Sequence, residues 1–419
     1  MSYKRCVVVT GMGVVSPFGE GVDTFWSGLL AAQSRIAPVE RLSHGGYRSV
    51  LGAQVPPELA AVLCESEGDR ATAFVLRATE EALRMAGFGP RFASRDRVAC
   101  VLGSLCAGIE NLIDVAAAYH RGEDWPADRA TDVSLVNHQL LRLCQKHNLT
   151  GPTSMVSTAC ASTTDAIGYA ADLIRQGECH IALAGGGDTL AELIHAGFNS
   201  LFSITQSWPR PFDASRDGFA IGEGGGMLVL ESLESALARG ARPLVELRGY
   251  GLSNTAYHLT ATSDDGRGEA LAISRALQDA QLPAGQVDYI NTHGTATRHN
   301  DNSEMQAISH AFGADAPRIL ANSIKPLIGH CMGAAGIMEA ICTVLTLQKQ
   351  TVTPTAFTDA NESALVFDLV VGEPRQARLD HGISQSFGFG GACSCVVMTR
   401  WDEAQQAQQA APAAQAGGH

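Results

Sequence analysis

Short apolar runs ending in small residues recur along this chain, with helix-period segments between them. The runs are Cys6–Thr10, Cys100–Gly103, Met155–Thr158, Ile181–Gly185, Met227–Glu231, Tyr289–Thr292, Ile319–Asn322 and Cys395–Met398. They do not alternate polar with apolar, so they predict strands buried on both faces. Ala71–Gly87 and Ala334–Gln348 read as helices. So does Thr164–Gly177, with Ile167, Ala170, Ala171 and Ile174 on one face. Alternating strands and helices predict parallel sheets covered by helices. Each half of the chain carries a strand, a small-residue turn and a buried helix, but identity between the halves is too low to establish a duplication.

Composition narrows this picture. A chain of 419 residues, 45% of them hydrophobic, can bury a large core and exceeds one small domain. Its net charge of −13 gives no basic footprint for nucleic acid. Most of the 11 cysteines sit singly in apolar runs, as Cys6, Cys100, Cys342 and Cys395 do, and the set reads as reduced thiols. The N-terminus has no long apolar stretch of the kind that directs secretion, and no run of about 20 apolar residues predicts a membrane span. The expected location is cytoplasmic. Residues 402–419 are rich in Gln and Ala and predict a disordered tail.

Three stretches carry the chemistry: Ser157-Thr-Ala-Cys160-Ala-Ser, His293-Gly-Thr295-Ala-Thr297 and Lys325-Pro-Leu-Ile-Gly-His330. A thiol with partner imidazoles is the minimum set for acyl transfer through a thioester. Cys160 follows a predicted strand, Thr153–Val156, and precedes a predicted helix starting near Ser162. The helix N-terminus there favours thiolate. A fourth stretch, Ser386-Phe-Gly388-Phe389-Gly-Gly391, could be read as a phosphate loop, but no Lys-Ser/Thr follows it. Metal binding is not expected, since no Cys-x-x-Cys or His-x-x-x-His pair occurs.

Together and in this order, the four stretches resemble the β-ketoacyl-acyl-carrier-protein synthases of the thiolase superfamily, in their fatty-acid or type II polyketide branch. The resemblance covers roughly residues 3–400, including Arg210-Pro-Phe-Asp213-Ala-Ser-Arg216-Asp217-Gly-Phe219. It implies an α/β, five-layered αβαβα fold of two similar halves. These are placed at 1–249, with an insertion about 105–150, and at 250–401. It implies decarboxylative condensation of an acyl thioester with a malonyl group carried on the phosphopantetheine of an acyl carrier protein, with no bound cofactor. Cys160 takes the acyl chain. His293 and His330 stabilise the enolate left by CO2 loss. The resemblance sets Lys325 near the catalytic histidine with an acidic partner, for which Glu304 fits. Asp301 and Glu339 are further supports. Thr295 and Thr297 match positions that bind phosphopantetheine. Gly388, Phe389 and Gly390 match a mobile gate, where the backbone N–H of Phe389 joins that of Cys160 as an oxyanion hole. Cys106, Phe202 and Phe387 are expected at the acyl pocket.

The chain also departs from its relatives. Phe202 stands where bacterial fatty-acid relatives carry an arginine facing the carrier. The basic cluster before the first long helix is thin, with Arg70 flanked by Asp69 and Glu67. The expected partners are an acyl carrier protein and a second subunit, identical or related, added along Ile181–Ala184 as an edge strand. A degradative thiolase is the rival enzyme, but it would want a second cysteine as base where the Phe-Gly-Phe-Gly-Gly loop stands. A chain-length subunit without activity is the rival binding protein, but it would lack Cys160.

Overall fold

The computed structural model describes residues 5–65, 69–93, 97–123, 137–359 and 365–402. Apart from Asp402 the expected tail lies outside these residues, as do Glu67, Trp125 and Pro126. The strands that build the site are β1 (Val7–Ser16), β2 (Ala99–Gly103), β3 (Thr153–Val156), β4 (Ile181–Asp188), β5 (Gly224–Ser232), β6 (Val245–Asn254), β7 (Tyr289–Asn291), β8 (Leu320–Asn322), β9 (Asp368–Leu369), β10 (His381–Phe387) and β11 (Ala392–Arg400). They form one path in the order β9-β8-β7-β10-β11-β6-β1-β5-β4-β2-β3. Every residue of β1 and of β5 is buried, as expected of apolar runs without alternation.

Six helices complete the frame: α1 (Arg70–Met85), α2 (Ser162–Gln176), α3 (Glu192–Ser200), α4 (Arg267–Ala280), α5 (Arg298–Phe312) and α6 (Ala335–Lys349). The two halves of the sheet meet at β1 and β6, which share only the pairs Val8–Glu246 and Val9–Val245. Helices α2 and α6 touch each other and strands of both halves. Helix α1 covers β1, β5 and β4 from outside, and α4, backed by α5, covers β6 and β11. This is the five-layered αβαβα arrangement: one apolar cluster surrounds the central helices α2 and α6, and one lies under each outer helix layer.

The duplication that sequence identity hid is plain in backbone geometry. The ladder shifts by one residue between Val9 and Gly11 in β1, and again between Leu247 and Gly249 in β6. A Cβ on Gly11 would lie 2.2 Å from the Ala82 carbonyl oxygen of α1, and one on Gly249 2.3 Å from that of Ala276 in α4. Only glycine lets each outer helix approach its strand this closely. The central helices correspond too. A short 3-10 turn precedes each, Ala159–Ala161 before α2 and Met332–Ala334 before α6. Each turn starts on a non-glycine residue in the left-handed region, Ala159 and Met332, both with φ 51°.

Two expectations need correction. The junction expected at 249/250 falls inside β6, which pairs continuously with β11 from Val245–Arg400 to Asn254–Ala392 apart from the one-residue shift. We place the start of the second half before Val245, because β6 is the counterpart of β1. Ile181–Ala184 is not an edge: β4 is paired with β2 on one side and β5 on the other. The edge of that half is β3, which is half-buried except for exposed Thr153.

Candidate active site

The reactive side chains all leave the C-terminal ends of strands where the two halves meet. Cys160 follows β3 and His293 follows β7. His330 follows β8 after a single helical turn, Lys325–Ile328, and Phe389 follows β10. The Cys160 Sγ lies 3.1 Å from His330 Nε2. The His293 and His330 rings meet edge to face, 5.3 Å between centroids. These residues line a cavity of about 100 Å³ with Thr295, Thr297, Phe387, Gly388 and Phe389.

The turn that presents the thiol is tightly held. Thr158 N–H donates to Ser162 Oγ at 2.9 Å, and Thr158 Oγ1 to Asp165 Oδ2 at 2.6 Å. A Cβ on Gly388 would lie 2.9 Å from the Thr158 carbonyl oxygen, so glycine lets the gate loop close over the turn. No other residue accepts from the Cys160 or Phe389 amide among the described residues. Both are therefore available to a substrate oxygen. Gly390 holds the loop from behind, donating to Leu259 O at 2.7 Å.

Electrostatics differ from the expectation of a stored thiolate. Burial pushes the Cys160 thiol up to about 12, and the Lys325 ammonium only partly opposes this. The helix end cannot repay the loss of water around a buried anion. Burial and the Lys325 charge together hold His293 well below its ordinary value, and His330 is held down in the same way. Both imidazoles are neutral around pH 7, beside a neutral thiol.

Lys325 does not pair with Glu304. Its ammonium binds the Glu339 carboxylate of α6 and the His293 carbonyl oxygen, and lies 3.3 Å from His293 Nδ1. An ammonium has no acceptor, so His293 Nδ1 must accept and His293 Nε2 carries the proton. Burial pushes Glu339 up to about 7 against that ammonium. Glu304 instead accepts the backbone N–H groups of His293 at 2.6 Å and Gly294 at 2.8 Å, and Gln385 Nε2 at 2.7 Å. Burial pushes Glu304 up to about 7 as well. Asp301 accepts from Phe212 N–H at 2.8 Å, and burial pushes it up to about 6. It anchors the 210–217 segment rather than the reacting groups.

The expected pocket residues divide. Phe387 lines the cavity with its ring 5.9 Å from that of His293. Phe202 does not: it is 69% exposed, beyond the end of α3. Cys106 is buried but is absent from the cavity wall. Its amide donates to Asp188 Oδ1 at 2.9 Å and its thiol to Thr189 O at 3.6 Å, which turns it toward the end of β4.

Sequence reasoning missed Phe198 and Phe219, which also line the cavity. Phe219 packs on His330 at 5.2 Å, and Phe198 bridges Phe219 and Phe389 at 5.2 and 5.4 Å. It also missed Asp188, whose Oδ2 accepts from Gly333 N–H at 2.7 Å in the turn after His330. A carboxylate closing the apolar run Ile181–Gly187 was the available signal. The ligand-type atoms of Cys160, His293 and His330 lie within 4.8 Å of one another. A metal cation there would be repelled by the Lys325 ammonium, which lies 3.3 Å from His293 Nδ1.

Matches to known proteins agree with this geometry. The N-terminal domain model of β-ketoacyl synthases matches residues 4–236, and the C-terminal domain model matches 244–359. The chain belongs to the β-ketoacyl synthase family. It is 35% identical over 411 residues to 3-oxoacyl-[acyl-carrier-protein] synthase 2 of Vibrio harveyi, covering 95% of this chain and 99% of the relative. It is 36% identical over 420 residues to a putative polyketide β-ketoacyl synthase 1 of Streptomyces cyaneus, covering 94% and 98%. Among solved structures, a type II polyketide ketosynthase complex with its acyl-carrier protein superposes with TM-score 0.88 at 31% identity, covering 95% of this chain and 100% of that one. The chain is thus a condensing enzyme of the acyltransferase type with the thiolase fold. None of the helices among the described residues is long and apolar enough to cross a membrane.

Proposed function

We propose that the chain extends acyl thioesters by decarboxylative condensation with a malonyl group on an acyl carrier protein. The observation that carries this is the pairing of one thiol, 3.1 Å from His330, with a second imidazole whose tautomer Lys325 fixes. A thiolase would need a second thiol near the nucleophile, and among the described residues Cys160 is the one cysteine lining this cavity.

In the first half-reaction Cys160 Sγ attacks the acyl carbonyl while His330 Nε2 takes the thiol proton. The carrier thiolate leaves and receives that proton. The N–H groups of Cys160 and Phe389 hold the oxyanion. In the second, malonyl thioester loses CO2, and its two bonding electrons pass into an enolate. His293 Nε2–H donates to the enolate oxygen. His330 Nδ1 is buried without a partner among the described residues, so its proton is not pinned and Nε2–H can join as a second donor. The enolate carbon then attacks the acyl-Cys160 carbonyl. The C–S bond breaks, and one solvent proton restores the thiol.

The pathway is to be read from the substrate, since relatives of both the fatty-acid and polyketide types match equally well. The test offers the protein acyl carriers of both kinds, maps the thioester by mass spectrometry, and follows CO2 release from malonyl carrier. C160A should take no acyl group. H293A should accept one but release CO2 about 10²-fold more slowly, the scale of a lost oxyanion donor. Acyl groups on another cysteine, or normal CO2 release by H293A, would sink the reading.

A further inference from the structure

The turn that presents the nucleophile contains a strained residue. Ala159 has φ 51°, a left-handed conformation that a non-glycine residue keeps only where its surroundings over-determine it. Part of that hold is local. Ser162 Oγ accepts from Thr158 N–H at 2.9 Å and donates to Ala159 O at 2.6 Å, and Ala161 N–H donates to Thr158 O at 3.1 Å. The rest passes through one carboxylate. Asp165, in the first turn of α2, accepts the Thr158 hydroxyl on Oδ2 at 2.6 Å. Its Oδ1 accepts two more hydroxyls, Tyr250 of β6 at 2.8 Å and Ser394 of β11.

Thr158 belongs to the first half of the molecule, whereas Tyr250 and Ser394 belong to the second. Tyr250 is seated against α2 as well, since a Cβ on Gly168 would lie 2.3 Å from its ring. Ser394 stands on the strand that leaves the gate loop, and the loop is rooted on that strand. Gly388 N–H donates to Ala392 O at 2.7 Å, and Gly391 N–H to Gly388 O at 3.1 Å. Asp165 thus ties the turn that carries the Cys160 N–H to the strand that carries the Phe389 N–H. The carboxylate is half-buried and is not part of the cavity wall.

We propose that Asp165 is a positioning residue for acyl transfer, setting the reach between the two N–H groups of the oxyanion hole. The proposal rests on the condensing-enzyme reading. A carboxylate suits this place because it accepts on both oxygens and donates nothing, and all three of its partners are hydroxyls. Hydrogen bonds to a charged acceptor are short and stronger than neutral ones, which a strained turn needs. Oxyanion donors act only when aimed at the oxygen that forms in the transition state. A small tilt of the Cys160 peptide therefore costs rate rather than substrate binding.

The test compares two reactions of Cys160. Acylation by an acyl-pantetheine thioester builds an oxyanion; alkylation by iodoacetamide builds none. T158V removes the hydroxyl and keeps the shape of the side chain. It should slow acylation about 10-fold, less than the loss of a whole oxyanion donor, and leave alkylation within about twofold. D165N should do the same, because an amide nitrogen cannot accept. In T158V/D165N the loss on acylation should equal that of one variant rather than the product of two, because Asp165 acts through Thr158. Acylation of T158V at the parent rate overturns the proposal. So does an equal loss in both reactions, which marks a displaced thiol, or multiplied losses in the double variant, which mark separate roles. If D165N does not fold, the two reactions of T158V decide alone. A parent whose Cys160 is alkylated but takes no acyl group overturns the condensing-enzyme reading itself.

Discussion

Replacing Lys325 by methionine separates two roles that the geometry combines. The Lys325 ammonium neutralises buried Glu339 and also donates toward His293 Nδ1. In K325M the Glu339 carboxyl, already pushed up to about 7 by burial, rises further and binds a proton. Holding a proton at pH 7 on a carboxyl of ordinary pKa about 4.3 costs about 4 kcal/mol. That agrees with the 3–5 kcal/mol typical of a broken buried pair. A carboxyl raised in the folded state contributes stability below its unfolded pKa and loses it as pH rises through the folded value. The deficit of K325M should therefore be larger at pH 8 than at pH 5. Catalysis should fail for another reason. Without a donor at Nδ1, His293 is free to place its proton there, and CO2 release from malonyl carrier should fall about 10²-fold. The double variant K325M/E339L tells the roles apart. Removing both charges should recover most of the stability, measured by urea unfolding, yet leave CO2 release low. Recovery of CO2 release to within about tenfold of the parent would refute the tautomer argument and reduce Lys325 to a counter-ion.

Alkylation of Cys160 by iodoacetamide should climb continuously from pH 7 to 9.5, because burial pushes this thiol up to about 12; a plateau at or below pH 8 would show a stored thiolate. E304Q should be destabilised by about 1–3 kcal/mol, since an amide cannot accept the N–H groups of both His293 and Gly294; an unchanged urea midpoint would contradict this. The protein should sediment as a dimer joined across β3, the half-exposed edge. Proline at Ser154 should shift it toward monomer, whereas proline-free changes in the fully paired β4 should not, and a monomeric parent would refute the interface.

The sequence was most readable where one local rule decides. Buried strands without alternation, the Cys160 turn and the two histidine turns are each decided within a few residues of chain. Reading failed where partners had to be chosen across the fold. Glu304 and Glu339 are both buried carboxylates on helices, 21 and 14 residues from Lys325. Spacing cannot say which helix turns toward the ammonium. The structure answers this through the backbone: the Glu304 oxygens are already filled by two N–H groups and Gln385, so only Glu339 has an oxygen to give. Strand β10 was missed for a similar reason, since Ser384, Gln385 and Ser386 break its apolar run although all three are buried. Gln385 is polar because it serves Glu304, which in turn serves the His293 turn. Phe202 shows the opposite error, an apolar residue placed in a pocket through the family resemblance. Its left-handed φ depends on where α3 stops, and nothing in the local composition marks that point. The duplication lies between these cases. Gly11 and Gly13 in β1 repeat as Gly249 and Gly251 in β6, each pair packed against the backbone of an outer helix. The signal was in the sequence, but it is carried by the absence of side chains at spaced positions, and an identity count between the halves gives such positions almost no weight.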